Sequence, residues 1–146
     1  MHPYPHTYVA AASGSPTGTV AVKSAQIPGI ETAPRPEFDG PGGVWSPETL
    51  LCASLADCFI LSFRAASRAA QLPWLRLECR VEGVLERVER LAQFTGFKTV
   101  AMLVVPTGTD IDKARKLLEQ AEHGCLIANS LRGARSLETQ IKTAQS

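Results

Sequence analysis

The chain has 146 residues, 45% of them hydrophobic and 20% charged, with a formal net charge of +1 at pH 7. That size and balance suit one globular domain rather than a disordered chain. No basic excess is present to neutralise phosphates, so nucleic acid is not expected as a partner. No apolar run reads as long and unbroken enough to span a bilayer, so no membrane is expected either.

The N-terminus, MHPYPHTYVAAASG, lacks a basic leader and an apolar core. It does not read as a signal peptide, and the expected address is the cytoplasm. In that reducing compartment the four cysteines, Cys52, Cys58, Cys79 and Cys125, read as core thiols or redox groups rather than structural bridges. None lies at CxxC spacing, and two of the three histidines sit at the extreme N-terminus. Neither a metal site nor a bound cofactor is expected.

In chain order, residues 7–26 read as a hairpin: TYVAAAS and GTVAVKSAQ flank the turn formers SGSPTG. Residues 27–43, IPGIETAPRPEFDGPGG, are rich in Pro and Gly and predict a long irregular loop. A helix then starts sharply. Ser46 suits the N-cap, Pro47 the first helical position and Glu48 the positive end of the helix dipole. It runs unbroken until Leu72-Pro73 and is apolar on nearly every side. Such a helix should be buried all round. One small domain covers only part of it, which predicts a homodimer.

LRLECRVEG, residues 75–83, alternates as a half-buried strand with its charges toward water. A second strand is expected over about 84–90 and a third, FKTVAMLVVP, over 97–106. Thr109 or Asp110 should cap an amphipathic helix, IDKARKLLEQAEH, and Gly124 should stop it. CLIANSLRG reads as a short helix or turn and LETQIKTA as the last strand. The order implies an α+β fold with mostly antiparallel sheets on a long central buried helix. It is expected to form a single domain over 1–146, with hairpin and loop at 1–45, central helix at 46–71 and the remaining elements at 74–146.

Two cysteines invite chemistry. Cys58 lies mid-helix in SLADCFILSF, where packing as a small hydrophobe is the plain reading. It would need a cation beside it to be reactive. Asp57 precedes it, and a bare anion there would oppose a thiolate. Its expected partners are Arg64, Ser54 or a dimer interface. Cys125 follows a helix stop and precedes another helix start, where unpaired amides favour a thiolate. Cys52 and Cys79 read as packing. The plain reading of Glu48 is dipole complementation.

Together, GGVWSPETLLCASLADCF and the downstream HGCLIANSL resemble the OsmC/Ohr family of thiol-dependent hydroperoxide reductases. The matching pieces are Pro47-Glu48, the small-residue run Ala53 to Asp57, Cys58-Phe59, and Cys125 with Asn129-Ser130. The resemblance spans residues of about 35–142. It implies an OsmC-like fold and an intertwined homodimer with active sites at the subunit interface. Cys58 would attack an organic hydroperoxide and become a sulfenic acid. Cys125 would condense with it to a disulfide, and a dithiol such as a lipoyl group would reduce that bond. Glu48 would hold an activating arginine, for which Arg35 is the candidate because the SGSPTG turn carries no basic residue. Phe38, Trp45 and Phe59 would wall the substrate pocket. The alternative is a divergent binding or redox-sensing module of the same fold, without efficient turnover.

Overall fold

The computed structural model describes residues 2–145. The chain forms two compact units, Met1–Leu50 and Leu51–Ser146, and the boundary falls in the first turn of the long helix. In the first unit β1 (Ala11–Ser13), β2 (Val20–Ser24) and β3 (Ile27–Thr32) make an antiparallel sheet in the order β1-β2-β3. The expected hairpin is therefore extended by a strand in the stretch read as a loop. Pro28 and Gly29 hid it from a propensity reading. They are accommodated because β3 is an edge strand and its register with β2 shifts between Val22 and Ser24. A short 3-10 helix, Pro36–Phe38, follows.

The helix α1 (Pro47–Ala69) begins as expected. Ser46 is fully buried, its Oγ accepts from the Thr49 amide at 3.2 Å, and its own amide donates to Thr49 Oγ1 at 3.0 Å. This reciprocal cap satisfies two otherwise orphaned donors.

In the second unit β4 (Arg76–Val88), β5 (Leu91–Pro106) and β6 (Ala134–Ala144) form a sheet in the order β4-β5-β6. The strand expected at 84–90 is the continuation of β4. A bulge between Val84 and Leu85 carries the pairing onward to a two-residue turn at Glu89-Arg90. Both turn residues have positive φ, 50° and 74°, the backbone of a type I′ hairpin. That turn usually announces itself with Asn-Gly, and this one does not. β5 and β6 pair in parallel, so the sheet is mixed. The crossover that parallel pairing requires is supplied by α2 (Ile111–His123) and α3 (Leu126–Asn129). Asp110 caps α2 by accepting from the Lys113 amide at 3.1 Å.

The main core brings Phe59 and Phe63 of α1 together with Ala114, Leu117, Leu118 and Ala121 of α2. Both helices cover one sheet face through Leu77, Ala101, Leu103 and Val105. α1 departs from its expected burial. Within the chain its buried residues are Leu55, Phe59, Phe63 and Ser67, a stripe at four-residue steps. By length and composition α1 could also cross a bilayer, with a mean hydropathy of 1.5 over its best window. The contrary expectation is corrected, because the helix continues through the charged residues that seemed to interrupt it. Its stripe into the core is the packing of a globular protein.

Candidate active site

Cys58 stands on α1 one residue before the core-facing Phe59, about 100° away around the helix. That rotation takes it out of the main core and into a second cluster. There Leu55, Phe97 and Cys125 are buried, and Leu51, Cys58, Val81, Phe94 and Ile127 pack around them. Cys125 reaches the cluster from the other side, at the N-cap of α3. The two thiols, 67 residues apart in sequence, meet in this cluster and are unbridged.

The two sulfurs have different surroundings. Cys58 is half-buried, and its Sγ lies 4.0 Å from Ser62 Oγ. Cys125 is 3% exposed. Burial pushes the Cys125 thiol up, the backbone amides of Ala128 and Ile127 hold it down, and the neighbouring Cys58 pushes it up again. The net direction is upward, so Cys125 is a neutral thiol at pH 7. Cys79, read as plain packing, also lies near this pair. Burial pushes it up to about 12, with a smaller contribution from Cys125. Its inward position on β4 was legible, but its proximity to Cys125 depends on the parallel docking of β6 and the crossover. Cys52 packs elsewhere, near Gly83, where a Cβ would come within 3.0 Å of its sulfur.

The bend carrying Cys125 is held by polar side chains of which the sequence reading named only Asn129, as part of a motif, and missed Arg135 and Glu122. Arg135 of β6 donates to Glu122 Oε1 at 2.7 Å, to the Glu122 carbonyl at 2.5 Å and to Asn129 Oδ1 at 2.8 Å. Asn129 in turn donates to the His123 carbonyl at 3.0 Å.

The first unit holds Glu48, Arg35, Phe38 and Trp45 of the expected site residues, in two groups. Glu48 and Phe38 line a hollow of about 360 Å³ with Val20, Thr32, Ala33 and Pro34. Arg35 and Trp45 line another with Val44 and Thr49. The loop between is tight: a Cβ on Gly40 would meet the Pro34 carbonyl oxygen at 1.9 Å, so only glycine fits. Arg35 pairs with Glu37 at 3.5 Å, and among the described residues Glu48 makes no ion pair. The expected Glu48–Arg35 pair is thus absent, because Glu37, two residues away on the same 3-10 turn, takes the guanidinium. Phe59, expected to wall the pocket, is 2% exposed in the main core, turned away from Cys58 by the helical rotation. Asp57 is exposed and makes no ion pair among the described residues.

The family model for OsmC-like proteins matches residues 40–140, from the glycine of the tight loop to β6. The chain belongs to the OsmC-like family. Its sequence is 24% identical over 111 residues to YmaD of Bacillus subtilis, covering 74% of this chain and 73% of that one. The OsmC-like fold recurs in an organic hydroperoxide resistance protein from Legionella pneumophila, at a TM-score of 0.75 and 23% identity, covering 96% of this chain and 99% of that one. It recurs at a TM-score of 0.84 and 14% identity in an OsmC-like protein of unknown function from Vibrio cholerae, covering 93% and 100%. The α+β architecture of this chain is accordingly OsmC-like.

Proposed function

We propose that this chain is a dithiol-dependent reductase of organic hydroperoxides, acting in the cytoplasm as a homodimer. The observation that carries the reading is the contact between the Cys58 and Cys125 thiols in one apolar cluster. Family membership and the hydroperoxide-resistance name of the Legionella relative support it. The unequal exposure of the two thiols supports an order of events. Cys58, the more accessible, attacks the terminal peroxide oxygen as a thiolate. The O–O bond breaks, the alcohol leaves with a proton, and Cys58 becomes a sulfenic acid. Cys125, buried and protonated, is a poor first nucleophile but stands next to that sulfur. It displaces the hydroxyl as water and closes the disulfide. A small dithiol such as a lipoyl group then reopens it by exchange, returning two thiols and leaving as its own disulfide. Apolar walls favour an organic peroxide over hydrogen peroxide.

The test is consumption of cumene hydroperoxide with dihydrolipoamide as reductant. Wild type should turn over, and Cys58→Ser should lose at least a hundredfold in rate. Equal rates would contradict the reading. One observation favours the alternative, a binding or sensing module: Arg35 is engaged by Glu37, leaving Cys58 without that cation. A Cys58 that alkylates at neutral pH no faster than a free thiol would support that alternative.

A further inference from the structure

Arg135 is anchored in the sheet opposite a wall of the thiol cluster. It lies in register with Phe97 of β5, and Phe97 packs against Cys125. Its side chain is 28% exposed and that of its partner Glu122 16%. All three nitrogens donate, and every acceptor flanks Cys125: both kinds of oxygen on Glu122, three residues before, and Asn129, four residues after. The Glu122 carbonyl also accepts from the Cys125 amide at 3.3 Å, and the Asn129 amide donates to the Cys125 carbonyl at 2.9 Å. Asn129 closes the loop through the His123 carbonyl. The bend His123-Gly124-Cys125 is therefore held from both ends by one rigid fork. Arg135 reaches the Cys125 sulfur through Glu122 and Asn129, whose backbones bracket it. Its action on that sulfur is geometric.

We propose that Arg135, with Glu122 and Asn129, is a positioning residue that holds Cys125 within bonding reach of Cys58 and so governs formation of their disulfide. The inference deepens the reductase reading and rests on it for its biological meaning. Its test does not require peroxide. In glutathione buffers the two thiols react with one glutathione disulfide to give the Cys58–Cys125 bond and two glutathione thiols, so atoms and electrons balance. The equilibrium constant reports how well the two sulfurs are held together.

Arg135→Gln and Asn129→Ala should each lower that constant, Arg135→Gln at least tenfold. Arg135→Lys keeps the charge but loses the three-way fork, and should recover little of it. Thermal melting of each variant reads any loss of stability separately, and the redox equilibrium is measured well below the melting range. Should Arg135→Gln fail to fold, Asn129→Ala carries the test alone. An unchanged constant in the folded variants would overturn the proposal. So would full recovery by Arg135→Lys, or a wild type that forms no Cys58–Cys125 bond. A normal redox pair with no peroxide turnover would instead overturn the reductase reading and leave Arg135 its role.

Discussion

At the scale of single residues, burial does more to the thiols than charge does. Cys79 is the clearest case: burial, with help from Cys125, takes its pKa from the ordinary 9.0 to about 12. Between those values the folded chain keeps a proton that the unfolded chain gives up. The stabilisation is complete below pH 9 and is lost as pH rises toward 12. Melting temperatures taken from pH 8 to 11 should fall less steeply for Cys79→Ala than for wild type. Parallel curves would contradict the burial argument. Cys125 adds to the same alkaline slope in both proteins, since its pKa is raised as well. These residue-level effects were only partly legible in sequence. Cys58 and Cys125 could be paired through a family resemblance but not from their spacing. Arg135 carried no signal at all, because its partners Glu122 and Asn129 meet it through the crossover and the parallel pairing of β6.

At the scale of elements, α1 holds the unresolved balance. Its core stripe uses four residues at four-residue steps, while Leu61 on another side is 49% exposed and many of its neighbours are only half-buried. An apolar helix surface of that extent is stabilised by a partner. We propose a second copy of the chain, and light scattering at micromolar concentration should give twice the monomer mass. A monomeric mass would remove the homodimer from the account. The sequence showed the length, cap and all-round hydrophobicity of α1 clearly, since Ser46, Pro47 and the apolar run are local signals. It could not show which side faces the core, because that choice is made by α2 and the sheet. The turn at Glu89-Arg90 and the strand through Pro28 escaped for the opposite reason: there the local signals point away from the structure adopted.

At the scale of the whole molecule, the order of elements was enough to give an α+β fold, and the motifs around Cys58 and Cys125 to give the family. The parallel pairing of β5 with β6 was not legible, since residues 134–144 alternate alike for either direction. That pairing, with the α2–α3 crossover, is what carries Cys125 back to α1. The central claim is that Cys58 and Cys125 are one redox pair. Peptide mapping by mass spectrometry after one equivalent of cumene hydroperoxide tests it most directly. The account predicts a Cys58–Cys125 disulfide in wild type and a trapped Cys58 sulfenic acid in Cys125→Ser. Unmodified Cys58, or its overoxidation in wild type with no disulfide to Cys125, would contradict it.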